Sequence, residues 1–172
     1  QSQYNIGIMY QHGRGVEKDL ERAAQFYSEA AEQGHPGALN NLGAMYRSGE
    51  GVERDYRTAV RYFKEAADSL HLARYNLASM YRRGLGVRQD FERAAELYLD
   101  AAEKGHAKSA SELGKLYQRG DGVEQDSEEA VRWFRKAAKK KYPPAQYYLG
   151  LMYENGFGVE EDEDEAQKWF KR

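Results

Sequence analysis

The sequence predicts an all-α solenoid built from about five helix-turn-helix repeats. The tetrapeptide Gly-x-Gly-Val occurs five times at intervals of 36, 35, 36 and 36 residues, and an Asp stands three residues after each Val. The repeat loops cover 13–19, 49–55, 84–90, 120–126 and 156–162. Apolar residues between the loops recur at helical spacing. A fixed period of this size is typical of arrays in which each repeat buries its apolar face against its neighbours.

Each repeat divides into two amphipathic helices. In the second copy, Ala38, Leu42 and Tyr46 lie on one stripe of a predicted first helix. The predicted second helix, 56–67, carries Ala59 and Phe63 on its own stripe. Isolated helices of this length are marginal in water, so the pattern predicts that stacking between repeats stabilises them.

The glycines and aspartates predict where these helices begin and end. The first glycine of each loop is expected to end a first helix with positive φ. The Asp of each loop is expected to cap the second helix, and Asp126 with Glu129 and Asp162 with Glu165 have capping-box spacing. Gly34 and Gly105 are expected to end second helices, with Gly37 in the following turn. Four further glycines share one register inside the first helices, which predicts a close helix-to-helix approach there: Gly7, Gly43, Gly114 and Gly150.

Composition disfavours several classes of function. The 26 Lys plus Arg nearly balance the 28 Asp plus Glu, so a general nucleic-acid-binding field is not expected. No apolar run approaches the length of a membrane span. The absence of cysteine excludes disulfides and thiolate metal sites. No catalytic triad or metal-ligand spacing stands out, so we expect neither an enzyme nor a cofactor. The compartment stays open between bacterial cytoplasm and periplasm.

These repeats resemble the Sel-1-like repeat family, a relative of the tetratricopeptide repeats. The fourth copy carries the family pattern as Leu113-Gly114-x-x-Tyr117-x-x-Gly120-x-Gly122-Val123-x-x-Asp126, followed by Ala130-x-x-Trp133-x-x-x-Ala137-Ala138. The resemblance covers essentially the whole chain and implies a right-handed superhelix of helix pairs that binds proteins or peptides. A shorter junction at residues 68–72 departs from it, as does the lack of the cysteine pairs of some secreted members.

The sequence is interpreted as one repeat array over 1–172. It begins inside a first helix and stops inside a second helix, and neither end shows a polar capping helix. Solenoids need such caps for solubility. We therefore expect the array to be part of a longer chain; the alternative is that its terminal faces pair with another chain.

The resemblance also predicts a binding groove. In the tetratricopeptide arrangement the first helices line a concave groove, which selects positions around the central Leu of each repeat. The candidate groove residues are Asn5, Asn40, Asn41, Arg47, Tyr75, Asn76, Ser79, Arg82, Ser111, Glu112, Lys115, Tyr147 and Leu151.

Two patterns among these residues suggest a peptide ligand. Asn5, Asn41 and Asn76 occupy the same repeat position, and an amide ladder can hydrogen-bond an extended backbone. Basic side chains beside the ladder, including Arg47 and Arg82, favour an acidic peptide. The competing interpretation is that these Asn simply occupy half-exposed helical sites.

Other conspicuous residues are interpreted as structural. His35, His71 and His106 recur at one inter-repeat turn, about 20 Å apart for helix axes spaced 8–10 Å. Metal–ligand bonds are about 2 Å, so the histidines cannot share a metal. Lys136 and residues 139–141 fall near a helix C-terminus, and the acidic run 160–165 falls at a helix N-terminus. Each complements the helix dipole, and a basic partner for the acidic run is the alternative.

Three functional classes follow. The leading one is a non-catalytic interaction scaffold that binds a protein or an extended peptide. The second is an immunity or chaperone-like protein that neutralises a secreted effector through the same groove. The third, a cell-wall glycan binder or hydrolase, is disfavoured by the missing cysteines and the missing catalytic constellation.

Overall fold

A computed structural model describes residues 1–171, and within that span all regular structure is helical. Its helices are α1 Ser2–His12, α2 Leu20–Glu32, α3 Pro36–Ser48, α4 Tyr56–Ala67, α5 His71–Arg83, α6 Phe91–Glu103, α7 Ala107–Arg119, α8 Ser127–Lys139, α9 Pro143–Asn155 and α10 Glu163–Phe170. The prediction of an all-α chain of helix pairs is confirmed. Arg172, the last residue of the predicted array, lies outside the described residues. The chain forms two compact units, Gln1–Gln89 (unit 1) and a second beginning at Asp90 (unit 2).

In unit 1 each helix from α1 to α5 packs against the next one. Alanines and the fully buried rings of Tyr27 and Phe63 form the core. These rings lie directly on the mid-helix glycines: a Cβ added at Gly43 would lie 2.8 Å from a ring carbon of Phe63. The predicted close approach of the two helices at this register is therefore confirmed, and an aromatic ring is what fills the space.

Unit 2 repeats this packing from α6 to α10. Tyr98 and Phe134 are buried among alanines. An added Cβ would lie 2.8 Å from the Phe134 ring at Gly114 and 2.4 Å from the Phe170 ring at Gly150. The same glycine–aromatic contact thus joins the two helices of a pair in both units.

Each loop shows the predicted glycine at the end of the first helix and the predicted aspartate cap at the start of the second. The first glycine of every loop is left-handed, with φ between 65° and 81°, and the Asp of every loop accepts a backbone N–H of the following helix. The two capping boxes, however, are only half formed. Glu129 pairs with Arg132, while the backbone N–H of Asp126 donates to the Tyr117 carbonyl at 2.9 Å. The loop itself already satisfies that N–H, so Glu129 is not needed there.

The second glycine of each loop joins consecutive repeats, a role that the sequence analysis missed. A Cβ at Gly51 would lie 2.3 Å from the carbonyl oxygen of Leu20 in the preceding repeat, and one at Gly158 would lie 2.2 Å from that of Ser127. Gly86 and Gly122 have equivalent backbone contacts. Each of these glycines therefore allows a loop to rest on the first turn of the preceding second helix.

Two of the four inter-repeat turns use a histidine side chain as a cap, whereas Tyr142 at the start of α9 makes no side-chain cap bond. The Nδ1 atoms of His35 and His106 accept the backbone N–H of Ala38 and Ser109 at 3.2 and 3.3 Å. The short junction differs, because Leu70 occupies the N-cap of α5 without a side-chain hydrogen bond. Gly37, expected in a turn, lies instead in the first turn of α3, which begins one residue earlier.

Candidate partner-binding surfaces

The first helices α3 and α5 of unit 1 are joined by a polar network. The Asn76 amide donates to Asn40 Oδ1 at 2.8 Å, and Arg47 Nη1 donates to Asn76 Oδ1 at 3.1 Å. Asn40 and Asn76 are only 4% and 6% exposed. Since both amides are buried and bonded across the helices, in this structure they hold Arg47 in place rather than presenting their own groups to solvent.

The other two predicted amides have different surroundings. The Asn41 side chain is hydrogen-bonded to the Tyr27 hydroxyl. Burial raises the pKa of this hydroxyl above the ordinary tyrosine value, and the Asn41 hydrogen bond partly offsets that rise. Asn5 lies exposed on α1. The equivalent sequence positions Asn5, Asn41 and Asn76 thus occupy an exposed, a half-buried and a buried environment.

Arg47 is the cationic group that this network positions. Its side chain is half-buried, and its guanidinium carbon lies 5.7 Å from the centroid of the Phe63 ring. None of the carboxylates among residues 1–171 forms an ion pair with it, so its charge is compensated only by a neutral amide and an aromatic face. Of its five N–H donors, one is used by Asn76. This leaves a fixed cation with donor capacity for an anionic ligand.

Three further predicted residues lie on α5: Tyr75, Ser79 and Arg82 are all half-buried. We define the unit 1 surface as Arg47, Tyr75, Ser79 and Arg82, with exposed Asn5 on α1. It combines two guanidinium groups with an aromatic ring, and aromatic residues and Arg are enriched at protein interfaces.

The lysine predicted to line the groove in unit 2 is neutralised within its own helix. Lys115 forms a salt bridge with Glu112, three residues earlier on α7, and the two side chains are 22% and 17% exposed. Ser111 is buried at 1% exposure. Lys115 therefore does not extend the expected basic strip, because its own helix supplies the neutralising carboxylate.

Unit 2 instead offers an apolar surface on α9 and α10. Tyr147 is 56% exposed and Leu151 is half-buried. They border an open cavity of about 530 Å³. The remaining residues around this cavity are Pro143, Gln146, Glu154, Trp169 and Phe170. Trp169 and Phe170 were not predicted, because only first-helix positions were considered.

The histidines lie at the inter-repeat turns or the first helical residue after them, and the charge runs lie at the helix ends that the dipole argument predicted. His35 and His106 cap α3 and α7, and His71 is the first residue of α5. Lys136 and Lys139 occupy the last turn of α8. Residues 163–165 form the first turn of α10. Across residues 1–171 no group of three or more His, Asp or Glu side chains could hold a metal ion.

The repeat loops and the capping aspartates recur in every copy, and the glycine–aromatic contact recurs in four of the five, since Ala78 takes the glycine position in the third. The sequence model of the Sel1 repeat family matches the chain five times, over residues 1–35, 36–69, 71–106, 107–142 and 143–172. The chain belongs to the Sel1 repeat family. Sel1 repeat proteins are generally scaffolds for protein–protein interactions. No helix within residues 1–171 has the length and apolarity needed to cross a bilayer.

Several solved structures of Sel1 repeat proteins are similar to this chain. The protective antigen c5321 of uropathogenic Escherichia coli is 36% identical with a TM-score of 0.94 over 99% of this chain and 37% of its own. A Sel1 repeat protein of Oxalobacter formigenes is 34% identical, with a TM-score of 0.91 over 99% of this chain and 70% of its own.

A third similar structure is the immunity protein Pa5087 of Pseudomonas aeruginosa. It is 26% identical, with a TM-score of 0.64 over 98% of this chain and 62% of its own. The chain therefore spans well under half of the E. coli antigen and less than two thirds of the immunity protein. Comparison with curated protein sequences finds no match.

Proposed function

We propose that this chain is a non-catalytic interaction module whose unit 1 surface binds an acidic segment of a partner protein. The observation that carries the proposal is the Arg47 guanidinium. It is half-buried, held by the Asn76 amide at 3.1 Å and paired with no carboxylate of residues 1–171. Leaving a guanidinium without a counter-charge in a partly desolvated site is unfavourable, and a carboxylate supplied by a partner would relieve that cost.

The network behind Arg47 supports this interpretation. Because Asn40 and Asn76 bond to each other across α3 and α5, the guanidinium is positioned before any ligand arrives. A preorganised donor loses less conformational entropy on binding than a free surface arginine. Tyr75 and Arg82 on α5 belong to the residue types that dominate interface hot spots.

The apolar surface of unit 2 is proposed as a second contact region for protein partners. Tyr147 is 56% exposed at the edge of the cavity of about 530 Å³. Exposed aromatic side chains with a polar tip suit protein interfaces, since they bury a large area with few rotatable bonds.

Site-specific photo-crosslinking tests the proposal. A photoreactive amino acid at Ser79, on the unit 1 surface, should capture a partner in the native cell. The same group at Glu65, exposed on the second helix α4, is the matched control. We expect capture at Ser79 through an acidic segment of the partner. Equal capture at both positions, or capture only at Glu65, would contradict the assignment of the surface.

A second function, neutralisation of one dedicated effector, is supported by the 26% identity to the Pseudomonas immunity protein. Affinity and interface area separate the two functions. A dedicated inhibitor should bury a standard interface of about 1,600 Å² with nanomolar affinity, whereas a signalling adaptor is often smaller and weaker. Titration calorimetry with the captured partner decides between them.

A further inference from the structure

The C-terminal end of α8 departs from the repeat pattern. After the paired alanines, the first and third repeats continue Glu32-Gln33-Gly34 and Glu103-Lys104-Gly105, whereas the fourth continues Lys139-Lys140-Lys141. Gly34 and Gly105 have φ of 73° and 85°, and Lys141 has φ of 57°. Lys141 is the only non-glycine residue with positive φ among residues 1–171. This conformation is unfavourable for a residue with a side chain, so the lysine stands here against the backbone preference.

Two of these lysines, Lys139 and Lys140, border a cavity in unit 2 together with Lys136. It has a volume of about 290 Å³, with Ala102, Ala107 and Ala110 in its lining and three lysines, Lys136, Lys139 and Lys140, at its border. Glu103 also lines it but forms no ion pair with them. Lys136 lies on the Trp133 ring, 3.9 Å from its centroid. Along residues 1–171 no carboxylate pairs with Lys136 or with residues 139–141.

The helix dipole does not account for this arrangement. The partial negative charge at a helix C-terminus is about half an elementary charge, and one lysine already balances it. Four lysines within the six residues 136–141 also repel one another. An apolar lining with several uncompensated cations fits a ligand that carries an apolar side chain next to several carboxylates.

The chain itself contains such a segment. Phe157, in the middle of the fifth Gly-x-Gly loop, is 52% exposed. Glu160 and Glu161 follow it, exposed and without ion pairs within residues 1–171, and residues 163–164 continue the acidic run. The other four loops carry Arg14, Glu50, Leu85 and Asp121 at the position of Phe157. The fifth loop alone therefore joins an aromatic side chain to an acidic run.

The segment and the cavity cannot meet within one molecule. Lys139 ends α8 beside the beginning of α9, whereas Phe157 follows the opposite end of α9. A helix of 13 residues is about 20 Å long, which is the separation between the two features. Any contact between them must be intermolecular.

We propose that the cavity bordered by Lys136, Lys139 and Lys140 binds the segment Phe157–Glu161 of a second copy of this chain. Phe157 enters the apolar part of the cavity, and Glu160 and Glu161 pair with the lysines. The contact is small and electrostatic, so the self-association is weak and salt-sensitive. It is separate from the unit 1 surface and does not depend on the proposed function.

Sedimentation velocity tests this self-association with charge-swapped variants. The 172-residue chain should show a sedimentation coefficient that rises with protein concentration at about 20 mM salt, and no rise at about 500 mM. Lys139→Glu/Lys140→Glu and Glu160→Lys/Glu161→Lys should each abolish the rise. An equimolar mixture of the two double variants should restore it, because each supplies the charge that the other lost.

A matched control is Glu50→Lys/Glu53→Lys, which makes the same charge change at exposed sites in the second loop. It should leave the association unchanged. Thermal unfolding of each variant shows that it is folded. The proposal is overturned if the wild-type chain stays monomeric at low salt up to the highest soluble concentration. It is equally overturned if association survives both double variants, or if the control abolishes it to the same extent.

Discussion

The contact between consecutive repeats can be measured with a pair of alanine substitutions, Gly51→Ala and Gly15→Ala. Both glycines are second glycines of their loops, with φ of 71° and 74°. A Cβ at Gly51 would lie 2.3 Å from the Leu20 carbonyl oxygen, about 1 Å inside the ordinary contact of 3.4 Å. A Cβ at Gly15 has only Met9 within reach, at 3.7 Å. The two substitutions therefore share the backbone strain and differ in the clash.

The expected losses of unfolding free energy follow from these contacts. Gly15→Ala should lose about 1–2 kcal/mol, the cost of a side chain in the left-handed region. Gly51→Ala should lose about 1–3 kcal/mol more than Gly15→Ala, because the added methyl group must push the loop away from the backbone of α2. Urea denaturation followed by circular dichroism measures both values. Equal losses for the two variants would refute the assignment of Gly51 to the contact between repeats.

Three smaller predictions concern helix ends. Asp55→Ala should lower the free energy of unfolding by removing the cap of α4. The Thr58 hydrogen bond lowers the pKa of Asp55. The stabilisation by the cap is therefore fully present above the ordinary aspartate pKa and is lost as the pH falls through the lowered pKa. Urea unfolding measured across that pH range checks this. Lys141→Gly should raise the thermal midpoint, because it relieves the left-handed lysine. His106→Ala should destabilise α7 by about 0.5–2 kcal/mol, and His106→Asn should restore the cap to the Ser109 N–H.

The repeat architecture was predictable because its signals are local. The capping aspartates and the left-handed first glycines act within a few residues of their own position, so one repeat is enough to recognise them. Repetition then confirmed the period. The second glycine of the loop was missed because its partner, for example Leu20 for Gly51, lies in the preceding repeat. Its left-handed φ would by itself have explained a glycine, and only the packing reveals the backbone contact.

The candidate surfaces were predictable in position but less so in character. The register placed Arg47 and Asn76 on first helices, and the structure shows them hydrogen-bonded to each other. Which groups face solvent depends on the side-chain partners: Asn76 bonds to Asn40, and Lys115 is neutralised by Glu112. A repeat register cannot distinguish a buried amide from an exposed one, because the neighbouring helix decides it.

For the two charge runs, the explanation drawn from the sequence holds in part. Both complement a helix dipole, and that explanation is sufficient for residues 163–165 in the first turn of α10. It does not explain Lys141, whose left-handed backbone would favour glycine. Neither this backbone angle nor the cavity that Lys136, Lys139 and Lys140 border is visible in the sequence, and it is the cavity that makes the basic run a candidate binding feature.

The central claim is that the unit 1 surface, through Arg47, binds an acidic partner segment. The most direct measurement is a calorimetric titration. It gives the affinity of the partner identified by crosslinking for the wild-type chain, for Arg47→Glu and for Arg61→Glu. Arg61 is an exposed arginine on the second helix α4 that lies over Tyr62, so it matches Arg47 in charge change and in aromatic contact. We predict a loss of at least about tenfold, or 1.4 kcal/mol, for Arg47→Glu and no change for Arg61→Glu. Unchanged affinity for a folded Arg47→Glu variant, or an equal loss in both variants, would contradict the claim.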